Sequence, residues 1–243
     1  MTEIYLIRHT QAEGNRYRMM QGYWDGEVTA LGLRQADALG RRFAKLPLDA
    51  VYSSDLTRAV LTAEAAACGS GCLVKKREAL RELNIGPWER QFFGNLSYEE
   101  PELTDRFIHD AENWELPGAE TFGQVRERAL TELRRIAVEN EGKTVAVVSH
   151  GVAIRCILSG ITGIPLSDTE RLPICKNTAV TSFAGKTGSF RLSTSMTIPI
   201  WGSLNAPYGI PSAPCGMLCL IPSGTAVGMS AATPTPGLLP TAI

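Results

Sequence analysis

The segment Thr144-Val145-Ala146-Val147-Val148-Ser149-His150-Gly151 decides how the rest of the chain is read. A run of apolar and β-branched residues without alternation describes a strand covered on both faces, as in a parallel sheet. The polar break Ser149-His150-Gly151 then leads into a nearly all-apolar helix over residues 152–159. A histidine is thereby set at the carboxyl end of a buried strand, where open α/β sheets bind their ligands.

The same pattern recurs on either side. Ile4-Tyr5-Leu6-Ile7 is apolar on both faces and ends in Arg8-His9; Ala50-Val51-Tyr52 ends in Ser53-Ser54-Asp55; residues 72–75 make a third short strand. Between them, Ala36, Leu39, Phe43 and Leu46 form one helical stripe, and Leu56, Val60, Ala63 and Ala67 another, with Gly69 placed as a C-cap. Thr121 opens a long helix through a capping box with Gln124, and Phe122, Val125, Ala129, Leu133 and Ile136 are its buried stripe. Residues 178–192 read as a hairpin turning at Gly185-Lys186-Thr187-Gly188, and residues 84–118, rich in aromatics, Pro and Gly, as an irregular insertion or lid. Strands alternating with helices predict an α/β fold, a three-layer α/β/α sandwich with a mostly parallel central sheet. Two of the three histidines then stand at strand ends.

Composition narrows the function. The 243 residues carry 24 basic and 25 acidic side chains, a net charge of −1, which argues against attachment to nucleic acid or membrane by bulk electrostatics. No apolar run approaches the ~20 residues that span a bilayer, and the N-terminal MTEIYLIRH lacks a signal-peptide pattern. Cys68, Cys72, Cys156, Cys175, Cys215 and Cys219 have no zinc-like spacing, so reduced thiols in a cytoplasmic protein are expected.

Four local patterns carry chemistry: Arg8-His9-Thr10-Gln11-Ala12-Glu13-Gly14-Asn15, Ser53-Ser54-Asp55-Leu56-Thr57-Arg58-Ala59, Leu80-Arg81-Glu82-Leu83 and Val148-Ser149-His150-Gly151. In this order the chain resembles the histidine phosphatase superfamily, the phosphoglycerate-mutase-like proteins, from residue 3 to about residue 192. The chemistry is coherent in its own right. A histidine nitrogen can carry a phosphoryl group, dividing one difficult displacement into two. The transferring phosphoryl group spreads negative charge that arginine forks stabilise, and a carboxyl group handles the proton of the leaving oxygen. His9 is the expected nucleophile, with Arg8, Arg58 and His150 around the phosphate. The resemblance implies Arg58's role, places the acid/base at Glu82 through Arg81-Glu82 followed by Gly86-Pro87-Trp88-Glu89, and gives Glu89 a structural role. It further implies a phosphate contact for Asn15 and a substrate contact for Asn177; Gln21 and Gly22 join as expected substrate contacts. His109 is read as surface or substrate-facing.

Many relatives have glycine at Thr10 and a hydroxyl residue at Ala12; these departures bear on rate and substrate. A metal site built from His9, His150 and Glu82 is the rival chemistry, but two arginines in one pocket attract an anion instead, so neither metal nor cofactor is expected. The segment after Glu82 is shorter than in the mutases, and Leu116-Pro117-Gly118-Ala119-Glu120-Thr121 is similar to a phosphatase-branch motif. The expectation is a metal-independent phosphatase of small phosphate esters. Mutase-type phosphoryl transfer is the alternative, and a phospho-ligand binder without catalysis the second. Trp88, Phe92, Phe93, Tyr98, Phe107 and Trp114 either line the pocket or form a small core, and Arg16 and Arg18 either serve a second acidic group or are solvated. A homodimer is left open.

The last charged residue is Arg191: residues 192–243 hold no Asp, Glu, Lys, Arg or His, but contain 8 of the 14 prolines. Relatives often end in a strand followed by Asn-Asp-x-x-His-Leu. Back-translating Ser193 to Trp201 and reading one base earlier permits Phe-Asn-Asp-x-Pro-His-Leu. The catalytic domain is therefore expected to span residues 1–192, and residues 193–243 to be an out-of-frame, poorly ordered tail. Resequencing the DNA around Leu192 tests this.

Overall fold

Strand β4 (Thr144–Ser149) is buried from Val145 onward and pairs in parallel with β1 (Thr2–Arg8) on one side and β2 (Ala50–Ser53) on the other. The computed structural model describes residues 1–172, 175–186 and 189–194. In them the six-stranded sheet has the order β3-β2-β4-β1-β5-β6, with β3 (Val74–Lys76) parallel to β2. β5 (Val180–Lys186) runs antiparallel to β1, and β6 (Ser189–Thr194) antiparallel to β5, completing the expected hairpin. The turn residues 187 and 188 lie outside the described residues.

Side chains alternate across the sheet and so build two cores. Ile4, Leu6, Tyr52, Val145 and Val147 face the helices α6 (Phe122–Glu139) and α7 (Gly151–Thr162), meeting Leu133, Ile136, Ile154 and Ile157. Beyond the short α1 (Glu13–Tyr17), α2 (Ala30–Phe43) and α3 (Thr57–Ala67) cover the other face, where Ile7, Val51, Ala146 and Val148 meet Leu39, Phe43, Ala59 and Ala63. Each large aliphatic side chain fully buried here stabilises the fold by about 1.5–3 kcal/mol relative to exposure. These are the three layers the sequence predicts. The Thr121–Gln124 capping box is also present, with reciprocal hydrogen bonds of 3.2 and 2.8 Å.

Two expectations are corrected. Gly69 does not have the left-handed backbone of a C-cap; that conformation falls at Gly71 (φ +69°). Gly69 is instead a point of close approach, because a Cβ there would lie 2.4 Å from Ala44 Cα. Nor is the 84–118 segment irregular: it contains α4 (Phe93–Glu99) and α5 (Pro101–His109). Trp88, Phe107 and Trp114 pack with Phe122 of α6 at ring separations of 5.3 to 5.7 Å, so these aromatics are core. That third core extends to Ala153 and Cys156 of α7, which ties the segment to the main body; Phe92 and Tyr98 remain exposed. β6 continues the ladder to Thr194, two residues past the expected boundary at residue 192. The expectation for the remaining tail, residues 195–243, lies outside the described residues.

Candidate active site

The parallel strands β1, β2 and β4 end together, and their carboxyl ends deliver Arg8-His9, Ser53-Ser54 and Ser149-His150 to one place. The rings of His9 and His150 lie 5.0 Å apart between centroids, inclined at 52°. His9 Nδ1 is 2.6 Å from the Thr10 carbonyl oxygen. A carbonyl only accepts, so Nδ1 holds the proton and Nε2 keeps the lone pair of a neutral imidazole. Burial, followed by the charges of Arg58 and Arg8, holds His9 well below its ordinary pKa, against the opposing pull of the Thr10 hydrogen bond. His150 is lowered likewise, first by burial and then by Arg58. A neutral, tautomerically fixed imidazole with a free Nε2 is the form a nitrogen nucleophile needs.

The backbone at His9 is pinned from two directions. From β5's side, Thr178 N–H donates to Arg8 O (3.0 Å), and Asn177 Nδ2 donates to His9 O (3.0 Å) and to Asn15 Oδ1 (3.3 Å). Asn15 Oδ1 also accepts from Ala12 N–H at 3.0 Å, so Asn15 and Asn177 join the first loop to the last one. From α3, the fully buried Thr62 hydroxyl accepts from Thr10 N–H (2.9 Å) and donates to Arg58 O (2.7 Å). This ties the His9 loop directly to the helix turn that carries Arg58.

Arg58 is fully buried. Its Nη1 donates to Trp24 O (2.9 Å) and its Nη2 to Gly22 O (2.8 Å), with Asp25 3.6 Å away. Gly22 thus offers Arg58 its carbonyl, and its φ of +50° and a would-be Cβ 2.6 Å from Glu89 Oε1 explain why glycine stands there. Glu89 Oε1 in turn accepts from Tyr23 N–H at 2.7 Å, the structural part expected for it. Arg8 donates through Nη1 to Cys175 O and packs over Gly151.

What these groups leave unpaired defines the site. Arg8 Nε, Arg58 Nε, both ring nitrogens of His150 and Thr10 Oγ1 are buried without a hydrogen-bond partner, as is Gln21 Oε1, an acceptor that cannot bind an oxyanion. Buried polar groups are normally paired, and the Nε–H groups of two buried guanidinium groups still call for an acceptor. The arrangement can therefore hold an oxyanion beside His9. Burial lowers the pKa of Arg8 and Arg58, yet a guanidinium remains charged.

Glu82 stands at the rim of this group. Its Oε1 accepts from Leu83 N–H (3.0 Å) and Ala153 N–H (3.0 Å), and its Oε2 from Val152 N–H (3.2 Å). The last two are amides in the first turn of α7, the helix that follows His150. Among the described residues, no three His, Cys, Asp or Glu side chains are gathered as a metal-binding group. His109 lies elsewhere, exposed on α5 and 3.9 Å from Asp105; Arg16 and Arg18 are also exposed. The sequence reading passed over Thr62, whose signal is its place one helical turn after Arg58, and Arg128, for which a single sequence offers none.

The family model described as histidine phosphatase superfamily (branch 1) matches residues 4–196. The chain is 33% identical over 172 residues, 71% of its length and 80% of the relative's, to a protein named probable phosphoglycerate mutase GpmB of Salmonella choleraesuis. YhfR of Bacillus stearothermophilus superposes with a TM-score of 0.79 at 30% identity, covering 82% of this chain and 99% of that one. A phosphoserine phosphatase of Entamoeba histolytica, solved with 3-phosphoglyceric acid, gives 0.70 at 28%, covering 80% and 96%. A mycobacterial glucosyl-3-phosphoglycerate phosphatase, solved with VO3, gives 0.72 at 27%, covering 78% and 96%.

Proposed function

Because the chain belongs to the histidine phosphatase superfamily, we propose that it is a phosphomonoester hydrolase that works through a phosphohistidine at His9 on a small phosphorylated metabolite. The observation that carries this reading is the set of unpartnered buried donors around a histidine whose proton is held on Nδ1. Arg8, Arg58 and His150 bind the phosphoryl oxygens, and Asn15 holds the loop beside them. His9 Nε2 attacks phosphorus while the bond to the ester oxygen breaks, and Glu82 as the acid gives that oxygen its proton. Glu82, now a carboxylate, takes a proton from water, whose oxygen attacks phosphorus as the P–N bond breaks. Inorganic phosphate leaves and His9 is regenerated. Gln21, Gly22 and Asn177 were expected to touch substrate; the contacts of Gly22 and Asn177 favour roles in holding Arg58 and the His9 loop. No step uses a metal, and treatment with a chelator is expected to leave the rate unchanged.

Mutase-type transfer is the second reading, favoured by the name of the Salmonella relative. The phosphatase neighbours and the short segment after Glu82 support hydrolysis. Incubation with 3-phosphoglycerate and 2,3-bisphosphoglycerate separates the two. Phosphate release abolished by His9→Ala is expected, whereas isomerisation to 2-phosphoglycerate without phosphate release would overturn the hydrolase. The leaving group's identity comes from a panel of phosphate esters assayed against wild type and His9→Ala.

A further inference from the structure

Glu82 lies on a segment with little regular structure of its own, between the 3-10 turn Glu78–Leu80 and that at Gly86–Trp88. A general acid must nevertheless meet the leaving oxygen within hydrogen-bond reach. Something must therefore hold this stretch of chain, and the contacts of α6 identify it.

Arg128 projects from α6 and uses all five of its N–H groups. Nη1 donates to Ala79 O and Arg81 O, each at 2.9 Å, and Nη2 to Glu82 O at 2.7 Å. The remaining two, from Nε and Nη2, reach the two Glu120 oxygens at 2.8 and 2.9 Å. Glu120 then takes the other side of Glu82. Its Oε2 accepts from Asn84 N–H at 2.9 Å and from the Tyr23 hydroxyl at 3.4 Å, and its own N–H donates to Asn84 O at 2.8 Å. Partial burial opposes ionisation of Glu120, but the bonds from Arg128 and the Asn84 N–H outweigh it and lower its pKa. The pair thus brackets the backbone at residues 79, 81, 82 and 84, while the Glu82 carboxylate rests on the N-terminus of α7.

We propose that the Arg128–Glu120 pair is the positioning device for the acid/base Glu82, fixing its backbone so that the carboxyl group meets the leaving oxygen. The proposal rests on Glu82 being the acid, as argued above. Both Arg128 and Glu120 act through Glu82 and touch no substrate. Misplacing a general acid slows esters with strongly basic leaving groups, which need the proton, and spares aryl esters, which depart as stable anions. A defect in folding or phosphate binding slows both alike.

The experiment is kcat/KM for glycerol phosphate and p-nitrophenyl phosphate with wild type, Glu82→Gln, Arg128→Met and Glu120→Gln, with circular dichroism checking the fold. General acids contribute on the order of 10²–10⁴-fold, so Glu82→Gln should lose about a hundredfold or more on the alkyl ester. Arg128→Met and Glu120→Gln should lose about tenfold or more on that ester and about threefold or less on the aryl one. If Arg128→Met does not fold, Glu120→Gln, which keeps the shape of the site, decides the comparison. Leaving-group selectivity in Glu82→Gln that neither pair variant shares overturns the positioning device alone. Its absence from Glu82→Gln as well overturns the assignment of the acid, and the device with it.

Discussion

His9 illustrates how much a single hydrogen bond decides. The Thr10 carbonyl fixes its tautomer, and Thr10 in turn hangs by its N–H from Thr62, whose hydroxyl also bonds the Arg58 carbonyl. Thr62→Val keeps the side-chain volume but strands the Thr10 N–H in a buried site, at a cost of about 1–3 kcal/mol. The expected outcome is a lower melting temperature and a clearly lower kcat, with Thr62→Ser recovering most of both; equal kcat in wild type and Thr62→Val would remove Thr62 from the account. At this scale the sequence was most informative where chemistry and topology coincide. Arg8, His9 and His150 follow apolar strands directly, so their meeting at the sheet's carboxyl edge could be read in advance. Arg58 needed the family resemblance, because a basic residue on a helix is usually solvated. Arg128 was invisible: it meets carbonyls 46 to 49 residues away, and nothing local marks such a contact.

Among the elements, those with a long clean period were legible and the short ones were not. β4 and α6 were readable because a two-sided apolar run and a capped stripe have few other solutions. α4 and α5 are 7 and 9 residues long, α5 opens on Pro101, and their aromatics follow no helical period because they converge from different elements. The sequence therefore read as an irregular insertion where the chain builds a core shared with α6 and α7. Trp114 is fully buried at its centre, and Trp114→Ala should destabilise the protein by about 3–5 kcal/mol. Urea unfolding measures this; a loss under about 1 kcal/mol would mean that this aromatic core does not support the fold.

Across the whole molecule, the charged residues and the described fold coincide, and the chain beyond Arg191 carries no charge. We propose that residues 1–194 hold the entire catalytic unit, so a chain ending at Thr194 should keep the kcat of the full chain in a phosphatase assay. Acid should weaken this unit in a specific window. His9 and His150 are lowered on folding from the ordinary 6.5, so the unfolded chain binds protons that the folded one refuses. Their contribution to stability is intact above about pH 6.5 and is lost as pH falls below it. The melting temperature should drop between pH 7 and pH 5, less steeply in His150→Asn, and inorganic phosphate should raise it by relieving Arg8 and Arg58. The central claim, a phosphoryl group carried on His9, is tested most directly by quenching the enzyme during turnover of a ³²P-labelled monoester. The account predicts acid-labile, base-stable label on the peptide containing His9, absent from His9→Ala; turnover by His9→Ala, with no label on that peptide in wild type, would contradict it.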